Sequence, residues 1–245
     1  MNIILIHGSW HGAWCWHKVV PLLRAAGHTV LIPDLPAHGR DWRMMRGRIT
    51  LAAMTTSVSK LLDRLTEPAM IVAHSRGGII AANLAERHPD KIQSCVYLAA
   101  YMLRDRERVA DYFRQDKTSL VRKHLQIQRS SLTDSLPEEV QRATLYADCD
   151  EADVELARSL LTAEPSLPAL TRLRLSPANY GRVPRHYIQL AQDHAVTPEL
   201  QSLMIANSPC ASVTTIDASH SAYFSRPVEL ADAIDGIANP QKRLQ

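Results

Sequence analysis

The chain is predicted to be an α/β protein: a mostly parallel, doubly wound sheet of about six strands with a helical insertion after the fourth. Three observations predict this. Short continuous apolar runs alternate with amphipathic stretches of helical period, the pattern of strand–helix–strand units that bury both faces of a sheet. The alternation stops at residue 102 and resumes at 185. Glycine, serine, aspartate and histidine follow directly after the apolar runs, where open parallel sheets place their ligands.

The first run, "IILIHG" at 3–8, is apolar throughout and ends in glycine, so it reads as a fully buried strand. Trp16, Val19, Val20, Leu22, Leu23 and Ala26 then recur at helical spacing and Gly27 closes the helix, as glycine does at helix ends. "HTVLIPD" at 28–34 is a second buried strand, broken at Pro33. Leu51, Met54, Val58, Leu61, Leu62 and Leu65 are spaced in threes and fours, which predicts an amphipathic helix. A strand over 69–75, a helix from about 77 to 88 and a strand over 92–100 continue the order. Residues 102–184 show no convincing buried strand. They hold charged helical segments such as "RDRERVADYFRQ" and "PEEVQRATLYADCDEADVELARSLL", separated by prolines. Strands at 185–192 and 211–218, with helices near 198–206 and 227–237, complete the chain, and the tail "NPQKRLQ" is expected to fray. The expected division is an α/β core of 1–101 and 185–245, and an inserted helical cap of 102–184, forming one structural unit.

Composition narrows the function classes. With 245 residues, 46% hydrophobic, 22% charged and a net charge of +3, the chain is long enough for a substantial core. Its densest basic stretch, "RDWRMMRGR" at 40–48, is interrupted by Trp42, Met44 and Met45. That is too dispersed for a nucleic-acid-binding face, and no recognition module accompanies it. Cys15, Cys95, Cys149 and Cys210 show no CxxC spacing and read as small buried hydrophobes in a reducing compartment. "MNIILIHG" lacks a basic leader and is too short for a signal or membrane helix, so a cytoplasmic location without membrane attachment is expected. An exposed helix of the insertion could pair two chains into a homodimer.

The chemistry is expected at Ser75. In "IVAHSRGGII" (71–80) a strand turns abruptly into a helix at this serine. Such a turn needs small neighbours. Gly77 supplies one, and Ala73 adds a methyl group where glycine is usual. The starting helix points backbone N–H groups at the serine, which favours an oxyanion. Serine is also a common helix cap, so the decapeptide alone leaves both roles open. His220, in "DASHSAYFSRP" after the final strand, can lean back over Ser75. A carboxylate should orient its imidazole. Asp193 follows the strand at 185–192 and lies between the other two in the chain. Asp217 is a weaker alternative three residues from His220, and Asp34 in "IPDLPAHG" reads as a loop tie. Two backbone donors are needed for the oxyanion: Arg76 N–H, and Ser9 N–H in the "HGSWHG" loop. The Arg76 side chain reads as a solvated or ion-paired surface group at least as readily as a substrate contact. His7 and His11 lie four apart, but not on one helix face and without an acidic companion, so no metal is expected.

These residues resemble the α/β-hydrolase superfamily, and within it the group of plant methylesterases, salicylate-binding esterases and hydroxynitrile lyases with their small bacterial esterase relatives. The similarity rests on "LIHGSWHGAWCWHKVVPLL" (5–23), "VLIPDLPAHG" (30–39), "VAHSRGG" (72–78), "YADCDEADVELARSLLTAEP" (146–165), "RVPRHYIQLAQD" (182–193) and "DASHSAYFSRPVELA" (217–231). The resemblance implies a helical cap over the site, a Ser75–His220–Asp193 triad, a second oxyanion donor at Ser9 and no cofactor. The cyanide-releasing lyases of the group carry threonine and lysine where this chain has Gly8 and Ser221, and the esterases often have methionine at the latter position.

The expected function is therefore a carboxylesterase-type serine hydrolase acting on small, largely apolar esters through an acyl-enzyme. A small-molecule binder with little turnover, or a lactonase or hydroxynitrile-lyase variant, is the alternative. Trp10, Met44, Met45, Tyr101, Phe113 and Tyr223 are candidates for the apolar pocket lining.

Overall fold

The computed structural model describes residues 1–40 and 49–240. The expectations for Met44 and Met45, and for the last five residues of the tail, lie outside them. In chain order, β1 (Asn2–Ile6) leads through a short turn of 3-10 helix to α1 (Val19–Ala25) and β2 (Thr29–Leu31). Then come α2 (Leu51–Leu62), β3 (Ala69–His74), α3 (Gly78–Arg87) and β4 (Ile92–Leu98). The next segment holds α4 (Val109–Gln115), α5 (Leu120–His124), β5 (Gln126–Gln128), β6 (Thr133–Ser135), α6 (Glu138–Leu145), α7 (Glu151–Leu160), β7 (Glu164–Pro165) and α8 (Leu167–Leu170). The chain finishes with β8 (Arg185–Leu190), α9 (Pro198–Asn207), β9 (Ser212–Ile216), α10 (Ala222–Ser225) and α11 (Pro227–Ala238).

Six strands form one sheet in the order β2-β1-β3-β4-β8-β9, and every neighbouring pair is parallel. Because successive side chains of a strand point to opposite faces, each apolar run feeds two cores. Ile3, Leu5, Val72, Val96 and Ile188 face one side, where Val19 and Leu23 of α1 and Leu230 and Ile234 of α11 cover them. Ile4, Ile6, Ile71, Tyr97 and Tyr187 face the other, beneath α2, α3 and α9. On α2, Met54, Val58 and Leu62 supply the buried stripe at steps of four, and Thr50 caps the helix by accepting from Ala53 N–H at 3.1 Å. The strand order reverses between β1 and β3, so the segments leaving their carboxyl ends run in opposite directions, where open parallel sheets form a crevice.

The segment between β4 and β8 departs from the expectation of helices alone. It also carries a three-stranded antiparallel sheet in the order β5-β6-β7. Hydrophobic periodicity could not find it. The strands are two or three residues long, and their buried members include Asp134 and Glu164. These acids are held inside by charge pairs made with residues far away in the chain, as described below. Local details shift as well: β2 is shorter than 28–34, and the helix over 16–26 begins at Val19 after the 3-10 turn Ala13–Trp16.

Candidate active site

β3 ends at His74, and the chain turns at once through Ser75–Gly77 into α3. Ser75 has φ +54, in the left-handed region that costs a non-glycine residue about 1 kcal/mol or more. Close packing enforces the turn. A Cβ on Gly78 would lie 2.5 Å from the Tyr101 carbonyl oxygen, and one on Gly77 would lie 2.9 Å from that of His7. The Ser75 carbonyl accepts from Tyr101 N–H at 3.0 Å. Ala73 pairs in regular register with Ile6 and Tyr97 and is fully buried, so its methyl group is accommodated in the sheet.

Asp193 follows β8, and His220 follows β9. The His220 Nδ1–H donates to Asp193 Oδ2 at 2.7 Å, which leaves Nε2 as the basic nitrogen. Asp193 also accepts from Ala195 N–H at 2.7 Å, Val196 N–H at 3.0 Å and Gln201 Nε2 at 3.4 Å. These donors satisfy the oxygens of a carboxylate that burial cuts off from water. His74 Nε2–H donates to the His220 carbonyl at 2.9 Å, fixing the backbone that carries the imidazole. Asp217 instead bonds Gln192 at the exposed end of its strand. Asp34 accepts from Ala13 N–H and from Arg40, tying the loop after β2 to the loop after β1.

Ser9, Ser75, Arg76 and His220 line one cavity of about 170 Å³. Trp10, Tyr101 and Phe113 also line it. Tyr223 does not reach it: the ring is fully buried against Trp16, His74 and Phe224, and its hydroxyl accepts from Ser221. It is a core residue, because α10 turns that face of the "SAYF" segment toward the sheet. The segment between β4 and β8 supplies most of the apolar wall, among it Val109, Val121, Leu125 and Leu170. These residues carried no signal separating pocket from core in the sequence.

The Arg76 side chain is ion-paired and largely buried at the cavity wall. It is 12% exposed and pairs with Asp134 at 3.1 Å and Glu164 at 3.4 Å, and it also donates to the Pro165 carbonyl. Asp134 further accepts from Trp10 Nε1 and Ser166 Oγ. Glu164 Oε2 accepts from His38 Nε2–H at 2.7 Å and from Trp10 N–H at 2.9 Å. Because His38 Nδ1 also faces a carbonyl, that of Pro36, both ring nitrogens donate and His38 is an imidazolium. Burial opposes that charge, but Glu164 outweighs it and raises the His38 pKa. Burial likewise opposes the Glu164 carboxylate, yet His38 and Arg76 bring its pKa down to about 2.

His7, His11 and His74 are of the opposite kind. Burial lowers His7 to about 4 and His11 to about 3, and pushes His74 well down. Both nitrogens of His7 are taken, by the Gly8 carbonyl and Leu35 N–H. Those of His11 are taken by the Ser9 carbonyl and the Tyr146 hydroxyl. Neither ring keeps a nitrogen for a metal, and the described residues hold no cluster of three or more metal-binding side chains. These shifts fix a pH dependence. A histidine with a lowered folded pKa takes up its proton first in the unfolded chain, so stability falls as pH drops below 6.5. The Glu164 contribution is present above about pH 4.5 and is lost toward pH 2. His38 acts the other way, its contribution being lost as pH rises through its raised folded value. The acidic arm dominates: Tm should fall by roughly 10 °C or more between pH 7 and pH 5, measured by calorimetry. A flat profile would contradict the buried neutral histidines.

Residues 3–233 match the alpha/beta hydrolase family, and the chain belongs to that family. It is similar to methylesterase 9 of Arabidopsis thaliana, 32% identical over 97% of this chain and 98% of that protein. To methylesterase 1 of the same plant it is 33% identical, over 97% and 96%. Among solved structures, the methylesterase MES16 from Arabidopsis superposes with a TM-score of 0.86 at 25% identity, covering 98% and 99% of the two chains. A pyrethroid hydrolase from Sphingobium faniae JZ-2 gives 0.84 at 25% identity, over 99% of each chain. The relatives named here are esterases and hydrolases. Among the described residues no helix is long and apolar enough to cross a membrane.

Proposed function

We propose that this protein is a serine carboxylesterase that cleaves esters of small, largely apolar molecules through an acyl-enzyme. The observation that carries the reading is that His220, paired through Nδ1 with Asp193, lines the same cavity as Ser75, which sits on a strained strand-to-helix turn. Ser75 Oγ attacks the ester carbonyl as His220 Nε2 takes its proton. The N–H groups of Ser9 and Arg76 hold the oxyanion, and His220 then gives the proton to the leaving alcohol. Water, deprotonated by His220, releases the acid. Asp193 keeps the imidazole in its tautomer and offsets its charge. The inserted segment, 102–184, acts as a cap whose side chains exclude water.

The polar side chains of Arg76, Asp134 and Ser166 at the cavity wall are bonded to one another, so a charged substrate would be buried there without a partner. This favours neutral, apolar acyl and alkoxy groups. The similarity to plant methylesterases supports ester hydrolysis. Two positions support it over cyanide release. A Cβ on Gly8 would fall 2.8 Å from both His74 Nδ1 and Ser75 Cβ, so a threonine has no room there. Ser221 is fully buried with its hydroxyl on Tyr223, so this position offers the cavity no cation. The test is a panel of methyl and aryl esters, lactones and cyanohydrins. Turnover of esters supports the reading, and cleavage of cyanohydrins alone would overturn it.

The cavity reaches solvent at an apolar rim, since Ile127 is 64% and Leu170 51% exposed while both also line it. Leu170→Asp should raise KM for aryl esters of six-carbon or longer acyl chains roughly ten-fold, about 1.4 kcal/mol of lost apolar contact. KM for acetates should stay within about two-fold. Equal changes for both chain lengths would contradict the placement of the entrance.

A further inference from the structure

We infer that Glu164, on the inserted segment, is a positioning residue that holds the oxyanion-binding loop in its working geometry. The inference rests on the serine-esterase reading above and adds to it a residue 126 positions from His38 and 154 from Trp10, its partners in the loops after β2 and β1.

Two peptide groups flank Ser9, and each is fixed by a hydrogen bond. Among the described residues every peptide bond is trans, so the N–H and C=O of each point in opposite directions. The Gly8 carbonyl accepts from His7 Nδ1–H at 2.9 Å, which sends the Ser9 N–H the other way. The Ser9 carbonyl accepts from His11 Nδ1–H at 2.7 Å, and the Trp10 N–H on the far side of that peptide donates to Glu164 Oε2 at 2.9 Å. Trp10 itself sits at φ +64, a conformation that a non-glycine residue keeps only when its surroundings demand it. The Trp10 N–H bond to Glu164 and the indole N–H bonds to Asp134 are such demands. Both acids lie on the small sheet of the inserted segment, and both also grip the guanidinium of Arg76, the residue offering the second oxyanion N–H. One buried cluster therefore holds the Arg76 side chain and the Ser9–Trp10 peptide.

Glu164 touches no reacting atom, so its effect should appear in transition-state stabilisation and not in substrate binding. The experiment compares wild type with Glu164→Ala, Glu164→Gln and Glu164→Met on p-nitrophenyl acetate. It also measures inhibition by an aryl trifluoromethyl ketone. Addition of Ser75 Oγ to the ketone carbon, with its proton passing to His220, leaves an oxyanion in the same hole. Glu164→Ala should lower kcat on the order of 30-fold, with KM within about three-fold, and should weaken ketone inhibition by a matching factor. Glu164→Met keeps the volume without the acceptor and should behave alike, and it serves if the alanine variant does not fold. Glu164→Gln should recover to within about five-fold of wild type, because its amide oxygen still accepts from Trp10 N–H and from His38 Nε2–H. Unchanged ketone affinity in a folded variant, a loss confined to KM, or no recovery with glutamine would overturn the inference. A wild type that the ketone does not inhibit would overturn the esterase reading itself.

Discussion

Ser75→Ala should reduce ester turnover by about 10⁴-fold or more while leaving the fold intact. The size follows from the role: removing the nucleophile leaves only oxyanion binding and substrate positioning, which retain a small residual rate over water. The stability expectation is the more discriminating half. Ser75 holds φ +54 through the packing of Gly77, Gly78 and Tyr101, none of which uses its hydroxyl. Its carbonyl, which bonds Tyr101, is kept by alanine. Tm should therefore stay within about 2 °C of wild type. A serine acting only as a helix cap would give the reverse result, unchanged turnover and a loss of about 1 kcal/mol of stability.

Arg76→Leu should be among the most destabilising single changes in the protein. The guanidinium neutralises two buried carboxylates, Asp134 and Glu164, whose side chains are each 4% exposed. Removing it leaves His38 as the remaining cation of the cluster. Breaking a buried pair from one side typically costs about 3–5 kcal/mol, which in a chain of this size lowers Tm by roughly 10 °C. Arg40→Leu is the matched control. It also pairs with a carboxylate, Asp34, but its side chain is 88% exposed, so the change should cost less than about 1 kcal/mol. Thermal unfolding of both variants checks the contrast. Similar small losses in the two would place the Arg76 cluster in solvent.

The contrast between these arginines shows what could be read from the chain. Apolar runs such as "IILI" and "AMIVA" determine their own burial, so the strands, their parallel arrangement and the residues at their carboxyl ends could be named in advance. The strand-end positions of Ser75, Asp193 and His220 were legible for that reason: each sits just after a run that periodicity identifies. The β5-β6-β7 sheet and Glu164 were not. A buried acid is stable only through partners brought close by the fold, and Arg76, His38 and Trp10 lie 88, 126 and 154 positions away. Nothing local to "LLTAEP" separates Glu164 from a solvated surface acid. Tyr223 illustrates the opposite limit, since an aromatic beside a site residue packs on the sheet as readily as it lines a cavity.

A fluorophosphonate probe tests most directly whether Ser75 is an activated nucleophile. The phosphorus is attacked by the serine oxygen, fluoride leaves, and the adduct is read by intact mass and by peptide mapping. One probe per chain, on the peptide carrying Ser75 and absent from Ser75→Ala, is the predicted result. No labelling of the native protein, or labelling that survives in Ser75→Ala, would contradict it.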